Sequence, residues 1–280
     1  MAAPVDDSSP FGTYAPGPVR RRLHASMNEI YKAGWIGRRI FGRLRSLDRL
    51  CSSRSGGIVD VERFGLRWRL YVRGNVADSR LLLRPDAFEP VEVDAILGLV
   101  DRDFVFLDVG ANCGFYALRI AHAAADSERG QIIAVEPHPG MRRRLEFNVE
   151  LNSSRGVHVL GCAVGDRNGT ARLSEGAKNL GTSRISDEGS IYVELRTLLD
   201  IATARRLERI DAVKVDVEGF EDRVLDPFLR DAPDRLLPRM IVAEHSWSGT
   251  WESDWMSRAA SRGYREHART RQSNVILVRQ

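Results

Sequence analysis

The chain has 280 residues, of which 43% are hydrophobic and 29% charged, so it is long enough to bury a sizeable core. Its formal net charge of +4 is a mild basic excess and gives no strong signal for nucleic-acid binding. No apolar run approaches the ~20 residues that span a bilayer, and the N-terminus lacks the apolar core of a signal peptide. A membrane-spanning or exported protein is therefore not predicted.

The three cysteines are Cys51, Cys113 and Cys162, which lie far apart and form no Cys-x-x-Cys pair. This pattern favours reduced thiols and argues against a zinc site. We therefore predict a cytoplasmic protein.

The N-terminal part differs in composition from the rest. Residues 1–19 are rich in Pro, Gly, Ser and Asp, which predicts a disordered leader. Residues 20–56 form an Arg-rich extension, in which the segment 20–45 has the spacing of one or two amphipathic helices. Such helices can pack on the rest of the chain, contact a partner subunit or lie weakly on an anionic membrane surface. Residues 52–57 are predicted to be a flexible joint.

Residues 57–280 are predicted to form one domain. It begins with short strands and turns over 57–83, followed by a helix over 90–100, and a Rossmann-like core follows from residue 101. The predicted strands of the core are 104–109, 131–135, 157–164, 212–215, 240–243, 264–267 and 274–278, and its predicted helices are 115–125, 139–152, 197–208, 220–228 and 255–262. This alternation predicts an α/β fold with a mostly parallel sheet covered on both faces. The last two strands are close enough for a hairpin, so the last one should run antiparallel.

The first strand of the core ends in the glycine loop Asp108-Val-Gly110-Ala-Asn112-Cys-Gly114. Ligands of open parallel sheets bind beyond the carboxyl ends of the strands. Gly110 and Gly114 are expected to let the backbone approach such a ligand. The spacing is not that of a dinucleotide site, and Asp108 would repel a pyrophosphate, so a ligand with an ammonium group fits better. A tight packing turn is the alternative.

The next two strands also end in carboxylates. Glu136 follows the second strand, where it can accept hydrogen bonds from both hydroxyls of a ribose. Asp166 follows the third strand and could accept from an adenine amino group, or simply cap a turn. Asn168-Gly169 is a strong turn signal, which predicts that residues 170–173 pair back as a hairpin.

The fourth and fifth strands end in further titratable residues. Asp216 is expected at the cleft, whereas Glu218 and Glu221 suit the positive N-terminus of the following helix. Glu244 and His245 follow the fifth strand and should lie beside Asp216.

Together these segments resemble the FkbM family of methyltransferases over roughly residues 57–280. The resemblance rests on 106–116, 135–139, 163–166, 179–183 and 213–221, with 87–90 upstream. Cys113 stands where the family usually has a small aliphatic residue.

The resemblance implies a class I methyltransferase fold with a seven-stranded sheet and S-adenosylmethionine as cofactor. It implies that the methionine end of the cofactor is held by Asp108, Gly110, Asn112 and Gly114. It also implies Glu136 for the ribose and Asp166 for the adenine, with Glu89 approaching from the preceding helix. The acceptors it implies are hydroxyls of polyketides, sugars or lipids.

A hydroxyl acceptor needs a base, because it is a poor nucleophile until it begins to lose its proton. We predict His245 as that base, oriented by Glu244 or Asp216. Alternatively, Asp216 and Glu244 could hold a divalent cation that polarises the acceptor. Two other functions stay open. One is RNA or protein methylation, which the Arg-rich N-terminus suggests, and the other is a non-catalytic scaffold that keeps a cofactor pocket.

Overall fold

The computed structural model describes residues 4–51, 55–125, 130–154, 156–176, 179–271 and 273–280. Its α-helices are α1 (Pro18–Lys32), α2 (Gly34–Cys51), α3 (Val76–Leu83), α4 (Pro90–Leu97), α5 (Phe115–Ala123), α6 (Pro139–Leu151), α7 (Leu198–Ala204), α8 (Glu221–Asp231) and α9 (Trp255–Ser261). Its strands are β1 (Ile58–Arg63), β2 (Leu66–Tyr71), β3 (Val105–Val109), β4 (Gln131–Val135), β5 (Val157–Leu160), β6 (Cys162–Val164), β7 (Gly169–Ser174), β8 (Arg184–Ile185), β9 (Ile191–Arg196), β10 (Ala212–Val215), β11 (Met240–Glu244), β12 (Tyr264–Arg269) and β13 (Asn274–Arg279).

The central sheet has seven strands in the order β5-β4-β3-β10-β11-β13-β12. Five of these strands are mutually parallel, namely β5, β4, β3, β10 and β11. Strand β13 is antiparallel to both of its neighbours, β11 and β12. The predicted Rossmann-like sheet, mostly parallel with an antiparallel last strand, is confirmed. The order of strands along the chain reverses between β3 and β10, which makes their carboxyl ends the expected ligand position.

Two apolar layers cover the sheet, because successive side chains of each strand point to opposite faces. Phe106 packs with α5 and the β1–β2 hairpin on one face. Leu107 packs with α7, α8 and α9 on the other. Burial on both faces explains why β3, β4, β10 and β11 are almost continuously apolar in sequence.

Residues 76–83 form helix α3, although the sequence predicts strands and turns over 57–83. The Asn75 side chain accepts a hydrogen bond from the Ala77 amide at 3.0 Å and so caps the helix. Asp78 lies in the first turn, where a negative charge favours the helix N-terminus. These local signals outweigh the apolar run that follows them.

The hairpin predicted at Asn168-Gly169 is wrong. β7 pairs antiparallel with β9, which the sequence-based prediction omitted, and β9 in turn pairs parallel with β6. The Asn168 side chain accepts from the Thr197 amide at 2.9 Å, which ties the turn to the end of β9. β9 therefore lies between the two strands that were expected to pair.

Residues 4–17 make specific contacts, which differs from the predicted disordered leader. Arg69 and Asp60 form an ion pair with fully buried side chains. Arg69 also donates to the carbonyl oxygens of Asp6, Ser9 and Pro10, and Asp60 accepts from backbone amides at 12 and 14. The segment supplies polar partners that this buried pair needs, which is the physical reason for its order. Residues 1–3 of the leader, and 52–54 of the predicted joint, lie outside the described residues.

Helices α1 and α2 confirm the helical interpretation of the Arg-rich segment. Met27 and Phe41 are buried against the domain, whereas Trp35, Ile36 and Ile40 are exposed on the opposite side of α2. Contact of this exposed face with a lipid surface or a partner subunit stays a prediction. Within the part of the chain that the structure describes, none of the helices combines the length and apolar character that crossing a bilayer requires.

Candidate active site

A cavity of about 1180 Å³ lies at the carboxyl ends of β3, β4, β10 and β11. Helices α3 and α4 and the segment 179–185 contribute to its wall on the side away from the sheet. Sites for a single small ligand typically measure about 300–1,000 Å³. The cavity is therefore slightly larger than the usual range for one ligand.

Asp108 lies at the base of the cavity with its side chain almost fully buried. Its Oδ2 accepts from the Ala117 amide at 3.0 Å, while its Oδ1 is buried and has no hydrogen-bond partner among the described residues. Burial raises the pKa of this carboxyl to about 6, against the opposing effect of Lys214. A buried acceptor without a partner indicates a missing donor, and the predicted ammonium group would supply one.

The two glycines of the loop are required by packing. Gly110 has φ +83°, and a Cβ there would lie 1.9 Å from the carbonyl oxygen of Asp216, so only glycine lets β3 and β10 end side by side. Gly114 has φ +95°, and a Cβ there would lie 2.7 Å from Leu145 Cδ1. Gly110 lines the cavity, whereas Gly114 is not among the lining residues.

Glu136 faces the same cavity from the end of β4. Its two carboxylate oxygens accept from the backbone amides of Asn112 and His138, each at 2.9 Å. The Asn112 backbone is left-handed, with φ +53°, and its side-chain oxygen accepts from Asn75. Burial raises the pKa of Glu136 to about 7. Glu136, the residue predicted to bind the ribose, is thus hydrogen-bonded directly to the glycine loop through the Asn112 amide.

Glu89 enters the cavity wall from the residue before α4, as predicted. Its backbone is left-handed, with φ +50°, and Tyr116 donates its hydroxyl to the carboxylate at 2.5 Å. Burial raises the pKa of Glu89. Strained backbone of this kind is typical of functional positions.

Lys214 is a site residue that the sequence analysis did not single out. Its side chain is almost fully buried, and its Nζ donates to Asp216 Oδ2 at 2.8 Å. Lys214 lies opposite Asp108 in the β3–β10 register. Burial lowers the pKa of Lys214, but the negative charges of Asp216, Asp108 and Glu89 raise it by more, so the net shift of the pKa is upward. The register alone could have indicated this residue, because side chains opposite each other on neighbouring strands share a face.

Asp216 and Glu244 both line the cavity, as predicted. Oxygens of Asp216, Glu221 and Glu244 lie within 4.8 Å of one another. Burial, then Asp216 and Glu218, raises the pKa of Glu244 to about 8. Its Oε2 is buried and lacks a hydrogen-bond partner in the described ranges. A divalent cation bound by Asp216 and Glu244 stays a prediction.

Besides Gly114, two predicted site residues do not line the cavity, and these are His245 and Asp166. The Nε2 of His245 receives a hydrogen bond from Arg269 at 3.2 Å, and its ring lies edge-on to Trp251. His245 is absent from the lining residues. Asp166 is exposed and pairs with Arg167, also away from the lining. The cavity wall near the third predicted strand is formed by Cys162, Ala163 and Val164 instead.

Known methyltransferases resemble this chain in sequence. The sequence profile described as the methyltransferase FkbM domain matches residues 108–266. The chain is 28% identical over 191 residues to methyltransferase sdnD of Sordaria araneosa, covering 56% of this chain and 70% of that protein. It is 30% identical over 133 residues to hexuronic acid methyltransferase AglP of Haloferax volcanii, covering 46% of this chain and 52% of that protein.

One solved structure that resembles the chain is a methyltransferase FkbM from Methylobacillus flagellatus KT. The TM-score is 0.44 at 17% identity, and the match covers 65% of this chain and 45% of that chain. The chain thus spans about half the length of AglP and less than half of the M. flagellatus protein.

Proposed function

The chain belongs to the FkbM methyltransferase family and is an S-adenosylmethionine-dependent methyltransferase, and we propose that its acceptor is a hydroxyl group of a small molecule. The observation that carries this proposal is the single cavity wall shared by Asp108, Glu136 and the titratable residues of β10 and β11. Its volume is slightly above the usual range for one ligand, which is compatible with a cofactor and an acceptor together. The hexuronic acid methyltransferase among the relatives supports a sugar-like acceptor.

The residues present fit the cofactor. Asp108 offers a buried oxygen without a partner to an ammonium group, and Glu136 offers the remaining lone pairs of both oxygens to the ribose hydroxyls. Asn112, Gly110 and Glu89 would complete the contacts at this end of the cavity. When bound, the cofactor supplies an electrophilic methyl group on a sulfonium. The chain's own task is to orient the acceptor and remove its proton.

Glu244 is the best placed of the three candidate catalytic residues. A general base works best when its pKa is close to the operating pH, and the pKa of about 8 places Glu244 near this condition. Its partnerless Oε2 supports proton transfer from an acceptor hydroxyl. His245 is less suited, because burial and then Arg269 lower its pKa and Arg269 already occupies its Nε2.

We expect Glu244→Gln to lower kcat by about 10²–10⁴-fold, the usual contribution of a general base. Because Glu244 must lose its proton to act, kcat of the unsubstituted protein should rise as the pH passes through about 8, and Glu244→Gln should remove this rise. His245→Ala is the matched control and should keep the activity and its pH profile. Turnover should also survive EDTA. Loss of turnover with EDTA, restored by Mg²⁺, would replace the proton-transfer proposal with the cation at Asp216 and Glu244.

The function as a whole is tested by titrating the purified protein with S-adenosylhomocysteine and then screening hydroxyl acceptors by mass spectrometry. We expect saturable binding and a mass gain of one methyl group on a small molecule. Absence of affinity for both S-adenosylmethionine and S-adenosylhomocysteine would contradict the proposal. Binding without product on any acceptor would favour the scaffold alternative, and steeply salt-dependent RNA binding would favour the RNA alternative.

A further inference from the structure

Charge is unevenly distributed along the cavity wall. Carboxylates line it at the strand ends, where Asp108, Glu136 and Asp216 lie, and at α4, where Glu89 and Glu92 lie. Among the described residues, six arginines line the cavity, and three of them lie in the N-terminal half: Arg38 on α2, Arg80 on α3 and Arg84 just after α3. We call these three residues the arginine cluster.

Aromatic rings hold the arginine cluster in position. The guanidinium carbons of Arg84 and Arg38 lie 4.6 and 5.6 Å from the centre of the same Tyr31 ring. Arg84 also donates to the Tyr31 hydroxyl at 2.5 Å. Arg80 lies 5.8 Å from the centre of the Phe88 ring, which stacks on Phe115. Cation–π contacts fix where these groups point but do not neutralise their charge.

The arginine cluster has no carboxylate partner among the described residues. No ion pair involves Arg38, Arg80 or Arg84 there, and the buried Nε of Arg80 lacks a hydrogen-bond partner in the same part of the chain. The neighbouring Asp86 is already bonded to Lys32 and Asn28. Two of these guanidinium groups share one aromatic ring and all three line one cavity, so their like charges repel one another, and a bound anion would relieve this repulsion. Burial, together with Arg80 and Arg45, lowers the pKa of Arg84, in line with this repulsion.

We propose that the arginine cluster binds an oxyanion, a phosphate or a carboxylate, on the acceptor molecule and so selects anionic acceptors for methylation. This inference rests on the proposed function, because it assigns the cluster to the acceptor of the same cavity. Arginine is the residue type best suited to the task, since its planar guanidinium binds two oxygens of a phosphate or carboxylate at once. The carboxylates at the strand ends would repel the same anion, so the acceptor is oriented with its charged group away from Asp108 and Asp216.

The test is isothermal titration calorimetry at constant ionic strength, with pyrophosphate and D-glucuronate as separate probes and glucose as the neutral control. The protein is used with and without saturating S-adenosylhomocysteine. We expect at least one oxyanion to bind and glucose not to bind. The double substitution Arg80→Gln with Arg84→Gln should weaken that binding about 10- to 100-fold, as expected for loss of hydrogen bonds to a charged group. Stronger binding of pyrophosphate would identify a phosphorylated acceptor, and stronger binding of glucuronate a sugar acid.

Two further variants keep the outcome decisive. Arg38→Gln changes an exposed residue of α2, so it tests the cluster without risk to the fold, and it should also weaken oxyanion binding. Arg265→Gln changes an exposed arginine of β12 outside the cavity lining and should leave binding unchanged. Equal affinity in all variants, or no oxyanion binding by a protein that binds S-adenosylhomocysteine, overturns the inference. Failure to bind S-adenosylhomocysteine contradicts the proposed function instead. In that case the titrations without S-adenosylhomocysteine still show whether the arginine cluster binds an oxyanion.

Discussion

Glu136→Gln is expected to weaken binding of S-adenosylhomocysteine about 10- to 100-fold. Hydrogen bonds to charged groups contribute about 1.5–3 kcal/mol each, and the substitution removes the charge that would receive the two ribose hydroxyls. The amide of Gln also places an NH₂ group against the backbone amide of Asn112 or of His138, which now loses its acceptor. The glycine loop is then held less firmly, which adds to the loss. Calorimetric titration at pH 8 measures it.

The pH dependence of this binding gives a second readout. The carboxylate of Glu136, with its pKa raised to about 7, is the form that accepts two hydroxyl donors. Affinity for S-adenosylhomocysteine should therefore rise as the pH passes from 6 to 8 in the unsubstituted protein. The rise should be smaller in Glu136→Gln, where Asp108, with its pKa of about 6, is the ligand-binding carboxyl that still titrates in this range. Asp166→Asn is the control, since Asp166 is exposed and away from the cavity, and it should bind normally. Normal binding by Glu136→Gln, or a matching loss in Asp166→Asn, would show that the ribose is held elsewhere.

Much of the fold can be predicted from the sequence, because strands buried on both faces leave an apolar run that a carboxylate then ends. β3, β4 and β10 have this pattern, and the structure gives them bounds within one residue of the prediction. α3 and β9 were missed for opposite reasons. The apolar run of α3 hides its periodicity, and only the cap at Asn75 marks it, whereas β9 alternates clearly but lies between segments without regular spacing.

The residues at the strand ends of the candidate site can be predicted from the sequence when the direction of each side chain along its strand is considered. Asp108, Glu136, Lys214, Asp216 and Glu244 all have even numbers, and the register aligns residue 108 with 134 and 214, and 214 with 242. Alternation along strands therefore sends all five toward one face of the sheet. His245 has the opposite parity, which explains why it lies beside Trp251 instead of in the cavity. Partners from remote segments, such as the arginine cluster, have no comparable signal, because they meet only after α1, α2 and α3 pack together.

Lys214→Met is expected to lower the free energy of unfolding by about 3–5 kcal/mol at pH 8. Lys214 is almost fully buried and its ammonium offsets the charges of Asp108, Glu89 and Asp216. Removing one partner of a buried ion pair leaves the other charge without compensation, and this costs far more than the pair itself contributes. Met retains most of the side-chain volume, so the effect reports charge and not a cavity.

The pH dependence of the same variant separates this cause from simple mispacking. Burial already raises the pKa values of Asp108 and Glu89, and loss of Lys214 should raise them further. Acids with raised pKa values in the folded state destabilise it above their unfolded pKa and stop doing so as they take up protons. The deficit of Lys214→Met should therefore shrink between pH 8 and pH 5 in urea unfolding. Lys32→Met, which removes an exposed ion-pair partner on α1, should change stability little at either pH. A deficit of the same size at both pH values would mean that lost packing, and not lost charge, causes the destabilisation of Lys214→Met.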